Sequence, residues 1–180
     1  MIGRMTEMAT PEVEWATTWS GVGDAAFREL MSVFPSGVTV VTAQDSDGTP
    51  YGLTCTSVCS VSLRPPILLA CLHNHSQTLA EIMRQGAFAV NLLHADGRRA
   101  AEVFASPGQD RFAAIEWERT PQNGLPWLVS DAHAVAECSV VEATVAGDHV
   151  VVFGQVDGVL NRPRNPLMYG MRSYAAWTSN

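Results

Sequence analysis

The sequence predicts a mainly β protein, an antiparallel barrel that is closed or nearly closed and carries a few helices on its rim. Two observations lead there. Segments rich in β-branched residues outnumber helical ones, and most neighbours are joined by turns too short for a crossover. Asp47-Gly48 and Gly147-Asp148 each supply a dipeptide suited to a tight hairpin turn.

Taken in order, residues 1–20 read as a loosely ordered arm in which Trp15 and Trp19 can dock on a partner or on the body of the fold. Residues 21–180 form the one domain. Asp24 caps a helix whose apolar positions Phe27, Leu30, Met31 and Phe34 recur at helical spacing, and Pro35-Ser36-Gly37 stops it. Residues 38–43 form a strand, the 45–50 loop returns the chain, and residues 51–59 form the second strand. Pro65-Pro66 breaks the pattern before a short apolar strand at 67–72. Ser76 caps a second helix, 77–84, with Leu79, Ile82 and Met83 on its buried side. A strand at 87–93, a helix at 98–104 and the short segment 111–115 follow. Loop material with Pro121, Gly124 and Pro126 precedes two long strands at 132–143 and 150–160, and a strand or hairpin at 168–177 closes the chain.

A chain of 180 residues with 47% hydrophobic content can bury one full core. Its 16% charged content is low, which leaves room for a buried homodimer face. The net charge of −7 argues against nucleic acid, since phosphate neutralisation needs clustered cations. All eleven cationic residues are arginines. The uncharged stretch 48–63 is too short and too rich in Gly, Thr and Ser to span a membrane. Residues 1–9 lack the apolar core of a secretory signal, so the expected location is the cytoplasm, with the four cysteines reduced. Cys55, Cys59, His73 and His75 do not have the spacing of a zinc ribbon or finger, and no metal is expected.

Gly21-Val22-Gly23-Asp24-Ala25-Ala26 has the G-x-G-x-x-A spacing of a dinucleotide-binding turn, but no βαβ unit surrounds it. Any nicotinamide is therefore bound without a Rossmann domain. The run Thr54, Cys55, Thr56, Ser57, Ser60, Ser62 offers hydroxyl donors and slim side chains to a flat polar ligand; a half-exposed, Ser/Thr-rich sheet face is the plainer reading. Ser76 and Thr78, at a strand-to-helix junction, make either a phosphate pocket or a simple cap. His149 follows the Gly147-Asp148 turn, and Tyr169, Arg172 and Tyr174 could stack on a planar ligand, pair with a phosphate or simply pack.

In combination these segments resemble the flavin reductase-like family, the short reductase components of two-component flavin monooxygenases. The resemblance runs from about Phe27 to Tyr174. It is carried by residues 34–42 (FPSGVTVVT), Gly52-Leu53-Thr54, Ser57, Ser60-Val61-Ser62-Leu63 with Pro65-Pro66, and Ser76 with Thr78. Residues 88–93 (FAVNLL), Phe104-Ala105 with Arg111-Phe112, and Gly147-Asp148-His149 complete it. The resemblance implies a split-barrel, Greek-key fold acting as a homodimer, with FMN or FAD near the subunit interface. NADH or NADPH would reduce the flavin, which would then leave for a separate flavin-dependent monooxygenase.

By position, the resemblance implies that Pro35, Ser36, Gly37 and Val38, with Thr54, Cys55, Thr56 and Ser57, line the isoalloxazine. Ser60, Val61, Ser62 and Leu63 would continue that wall, Ser76 and Thr78 would hold the phosphate region, and Phe112 would lie near the flavin. His149 would lie where the nicotinamide stacks, as a positioning or electrostatic residue. Near the C-terminus the family often carries Tyr-His-Arg-Gly-Arg-Tyr. This chain has Tyr169-Gly170-Met171-Arg172-Ser173-Tyr174, which keeps both tyrosines and replaces the histidine with Gly170. Two other readings stay open: a split barrel that keeps its flavin and acts on another substrate, and a flavin-binding module without turnover.

Overall fold

The computed structural model describes residues 21–107 and 110–178. The arm at 1–20, with Trp15 and Trp19, lies outside them. The chain forms α1 (Asp24–Ser32), β1 (Ser36–Gly37), β2 (Thr39–Gln44), β3 (Pro50–Cys55), β4 (Val58–Leu63) and β5 (Pro66–His73). Then come α2 (Gln77–Gln85), β6 (Ala87–Leu93), a 3₁₀ turn (Ala95–Gly97) and α3 (Arg98–Ala105). The short strands β7 (Glu118–Arg119) and β8 (Pro126–Trp127) lead to the long hairpin β9 (Ala132–Ala146) and β10 (His149–Asn161). A last hairpin, β11 (Leu167–Gly170) and β12 (Ser173–Ala176), ends the fold.

The main sheet has seven strands in the order β3-β2-β6-β9-β10-β5-β4, with every pairing antiparallel. Its two edge strands, β3 and β4, are consecutive in the chain. The expected single strand at 51–59 is therefore two strands, parted at Thr56-Ser57. This break closes the barrel. The Cys71 N–H donates to the Ser57 carbonyl at 3.0 Å, and the Cys55 Sγ lies 3.5 Å from the Cys71 carbonyl. β3 and β4 each keep one side of their backbone unpaired by another strand of this sheet. A separate sheet, β1-β11-β12, pairs Ser36 with Tyr169 and Gly37 with Met168.

β2 is buried along nearly its whole length because both of its faces are covered. Val41 and Ala43 join Leu72, Phe88, Val90, Cys138 and Val152 in one cluster, which Leu79 and Ile82 of α2 also enter. Val40 faces the other cluster, with Ala89, Val135, Leu128 and α3's Ala101 and Phe104. Asn91, fully buried on that second face, donates to the Val40 carbonyl at 3.2 Å and accepts from the Leu128 N–H at 2.9 Å. These bonds pin the 126–128 segment to the sheet and satisfy an amide that would otherwise be costly to bury.

The local signals behave unevenly. Ser76 caps α2, its Oγ accepting from the Leu79 N–H at 3.3 Å, and Gly86 ends the helix at φ 71°. Met83, expected on the buried side, is half exposed; Thr78, Leu79, Glu81 and Ile82 are the buried face. Glu81 tolerates this place because Arg84 donates to both of its carboxylate oxygens, at 2.7 and 2.8 Å. Asp24 is not a cap: Gly23 holds that position without a side-chain bond, and Asp24 is the helix's first residue. No residue of α1 is buried, and Phe27, Leu30 and Met31, with Phe34 just beyond the helix, face outward.

Gly154 shows how tightly the barrel is filled. A Cβ there would lie 2.5 Å from the Phe88 Cζ and 2.8 Å from the Cys138 Cβ, where β10 also shifts register against β9. Gly154→Ala should lower the free energy of unfolding by about 1–3 kcal/mol, the cost of overpacking a filled core. Urea titration measures it, and adding Phe88→Leu should recover part of the loss.

Candidate functional site

Two clefts take residues from the neighbourhood of the β3 end, Thr54 in the first and Thr56 in the second. The first, of about 640 Å³, lies between β3, the start of α2 and the end of α3. Tyr51, Gly52, Leu53 and Thr54 form one wall, and His75, Ser76, Gln77 and Thr78 form another. Phe104 and Phe112, edge to face at 5.0 Å, form a third. Their approach depends on Gly52, where a Cβ would lie 2.8 Å from Phe104 and 3.2 Å from Phe112. Arg111 ties this corner together, donating to the Gly52 carbonyl at 2.6 Å and to the Ser106 carbonyl at 2.8 Å. The first intrahelical N–H bond of α2 is Ala80 to Ser76, so the N–H groups of Gln77 and Thr78 have no partner within the helix. Oriented donors at a helix start suit a phosphate.

The second cleft, of about 1020 Å³, spans the barrel and the small sheet. The barrel contributes Thr56, Ser57, Cys59, Leu69 and Cys71, and the small sheet contributes Ser36, Tyr169 and Arg172. Phe27, Arg28, Met31 and Phe34 close one side. Two arginines and no carboxylate line the cleft, in a chain whose net charge is −7. The cleft therefore favours a flat ligand that carries or develops negative charge.

Arg172 is held under strain. Met171 and Arg172 form the turn between β11 and β12 with φ 51° and 58°, a left-handed pair usually given to Asn-Gly. The Met171 N–H donates to the Ser32 carbonyl at 2.6 Å, which docks the turn on the end of α1. Gly170, the departure noted in the sequence, has a packing reason. A Cβ there would lie 3.1 Å from both the Cα and the Cβ of Pro35.

His149 begins β10 in register with His73 of β5. The rings of His149 and His73 lie edge to face at 5.5 Å, and those of His73 and His75 lie tilted at 5.5 Å. Asp148 hydrogen-bonds the His149 Nδ1 at 2.8 Å, and that contact holds the Asp148 carboxyl below its ordinary range. His149 lines neither cleft, but the string of rings reaches the first cleft through His75.

The residues expected at the site divide accordingly. Thr54, Ser76, Thr78 and Phe112 line the first cleft; Ser36, Thr56, Ser57, Tyr169 and Arg172 line the second. The Thr54 hydroxyl is already used, donating to the Ala101 carbonyl at 2.6 Å. Pro35 and Gly37 flank the second cleft without lining it. Val38 and Cys55 are core residues, since strand alternation turns their side chains inward. Burial pushes the Cys55 thiol up to about 11 and the Cys138 thiol up to about 12, so neither is a thiolate near neutrality.

Ser60, Val61, Ser62 and Leu63 are not brought into either cleft: they lie on the exposed part of β4, with Leu63 82% exposed. Tyr51, Gln77, Arg28, Cys59 and Cys71 line the clefts and were not expected there. The signal for Arg28 was available, since an amphipathic helix outside the barrel must face something. Among the described residues, no group of three or more His, Cys, Asp or Glu side chains could hold a metal ion, and no helix is long and apolar enough to cross a membrane.

Comparison with known proteins agrees with this architecture. Residues 31–178 match the model of the flavin reductase like domain. A flavin reductase (NADPH) of Lentzea aerocolonigenes is 52% identical over 166 residues, covering 92% of this chain and 97% of that one. A flavin reductase (NADH) of Kitasatospora aureofaciens is 46% identical over 153 residues, covering 84% of this chain and 80% of that one. The NADH:FAD oxidoreductase of Streptomyces globisporus C-1027, solved with NAD and FAD fragments, superposes with a TM-score of 0.80. It is 30% identical, with 86% of this chain and 92% of that one covered. With the break at Thr56-Ser57, the capped start of α2 and a match over nearly the whole described domain, the chain belongs to the flavin reductase-like family.

Proposed function

We propose that this chain reduces a diffusible flavin, FMN or FAD, at the expense of NADH or NADPH, and releases it to a separate flavin-dependent monooxygenase. Its homologues are NAD(P)H flavin reductases that serve as reductase components of two-component monooxygenases. The observation that carries the reading is the pair of clefts drawn from the end of β3. One has a hydroxyl-lined wall with Arg172 and the other has the donor-rich start of α2, a pair suited to a planar ring and its phosphate. The bound flavin supplies a hydride acceptor, and the nicotinamide supplies the hydride.

The chain's own residues then have three tasks. Ser76, Thr78 and the free α2 N–H groups hold the phosphate, with the Ser76 hydroxyl still able to donate while its oxygen caps the helix. Thr56, Ser57 and Arg172 meet negative charge that grows on the ring, and Phe27, Met31 and Phe34 keep water from that side. His149, held by Asp148 through Nδ1, orients the nicotinamide with its other edge. No side chain is required to move a proton in the hydride step.

A homodimer fits the same surface. The exposed apolar residues Phe27, Met31 and Phe34 border the second cleft, Leu30 is exposed on the same helix, and a second copy seated on them would cover the cleft. The cytoplasm suits an enzyme with four free cysteines, two of them buried.

Initial-rate assays crossing both flavins with both nicotinamides test the function directly; no NAD(P)H consumption with any pair would reject it. His149→Ala should slow flavin reduction about tenfold at saturating donor, a loss of ~1.4 kcal/mol at the transition state, and change the flavin Kd far less. Stopped-flow absorbance separates the two, and an unchanged rate removes His149 from the site. Arg172→Gly should stabilise the fold by about 1 kcal/mol by relieving the left-handed turn, and should weaken flavin binding about tenfold, as loss of a charged donor does. Urea titration and fluorescence quenching measure the pair. Phe27→Asp should shift the protein to monomers in light scattering and weaken flavin binding in parallel; a dimer of unchanged stability would dismiss this face.

A further inference from the structure

We infer that His73 and His75 extend the site as an imidazole rim that recognises a phosphate of the nicotinamide donor, beside His149. The inference rests on the reading that the donor approaches at His149. The rim is set by backbone register. β5 and β10 pair His73 with His149, and the chain turns from β5 so that His75 reaches the wall of the first cleft. His73 thus stands between the other two rings, 5.5 Å from His75 and 5.5 Å from His149, with no ring-to-ring hydrogen bond.

Their donors are directed outward. The His73 Nδ1 accepts from the His75 N–H at 3.2 Å, which leaves the proton of a neutral ring on Nε2. The His149 Nδ1–H donates to the Asp148 carboxylate, so in the neutral ring its Nε2 is an acceptor. Among the described residues, the His73 Nε2 and the His75 ring have no hydrogen-bond partner. Both residues are exposed, so burial does not explain their meeting. The charged neighbour in this group is Asp148, itself engaged with His149. An anion set beside His73 and His75 meets the Nε2–H of the first and a ring N–H of the second.

A phosphate here can come from two places on the donor, the pyrophosphate common to NADH and NADPH or the 2′-phosphate of NADPH alone. The flavin phosphate is the competing source, and the α2 N-terminus already answers to it.

The test uses His73→Ala and His75→Ala in the full-length protein, with His73→Arg as the variant that keeps an N–H donor. KM is measured for NADPH and for NADH at saturating flavin, and the flavin Kd by fluorescence quenching. Both alanine variants should raise a nicotinamide KM about fivefold or more, and His73→Arg should recover most of it. A loss confined to NADPH assigns the rim to the 2′-phosphate; an equal loss with NADH assigns it to the pyrophosphate. Unchanged KM values, or a loss that appears in the flavin Kd instead, overturn the rim.

A second readout needs no turnover. The imidazole C2–H resonances of His73 and His75 should shift on titration with adenosine 2′,5′-bisphosphate or ADP, and still resonances with both overturn the proposal. The two readings fail separately. An undamaged His149→Ala with a damaged His73→Ala removes His149 and keeps the rim, and the reverse removes the rim alone.

Discussion

The constraint on which the rest depends is closure of the main sheet at Thr56-Ser57. β3 and β4 are its opposite edges, yet they are consecutive in the chain. The backbone must therefore leave one ladder and enter the other within two residues. Those residues cannot be paired like their neighbours, so they come to the surface with small hydroxyl side chains and partly free backbone groups. A bulkier pair would fill the second cleft, and a charged pair would spoil the approach of a flat ring. The site is thus a consequence of how the barrel shuts.

Around this break the fold spends side-chain volume unevenly. Gly154 and Gly52 let aromatic rings come within contact of backbone, Phe88 inside the barrel and Phe104 with Phe112 at the first cleft. Gly170 does the same for Pro35, so the C-terminal hairpin can lie against the start of β1. The family histidine at that position would have to displace Pro35 or the hairpin. What this chain loses in a basic side chain it gains in close packing, and Arg172 remains as the cation that the hairpin presents.

Much of this was legible in the sequence, and the reasons for success and failure are local. Ser76, and the Asp47-Gly48 and Gly147-Asp148 turns, are short-range signals whose chemistry decides the outcome with no help from distant residues. The hydroxyl residues of the second cleft were legible as part of a slim run, but their geometry was not. Residues 54–63 look continuous in the sequence, whereas closure divides them among interior, cleft and open edge: Cys55 faces in, Thr56 and Ser57 face the cleft, and Ser60 to Leu63 run out along β4. Val38 was misread for the same reason, since alternation along an extended segment cannot be phased until its partners are known. Met83 lost its place to Glu81 because Arg84 neutralises the acid on the buried face. His73 and His149 are 76 positions apart and meet only through the register of β5 and β10, which no local pattern carries.

The second cleft has walls from two separate sheets, and this bears on how it works. The barrel wall is rigid, built on ladders whose faces are filled by Leu72, Phe88 and Val152. The opposite wall is a three-stranded sheet whose Leu167, Tyr169 and Tyr174 pack on the barrel core, while its turn at Met171-Arg172 is held in the left-handed region and bonded to the Ser32 carbonyl. Strain of about 1–2 kcal/mol per residue there is sustained only while the turn stays docked. A ring bound between the walls adds contacts to both and so stabilises the strained side, and its departure withdraws them. A planar ligand lying in this cleft would take its orientation from the barrel ladder and its charged contact from Arg172, whose strained turn is the part of the wall with most to gain from an added contact.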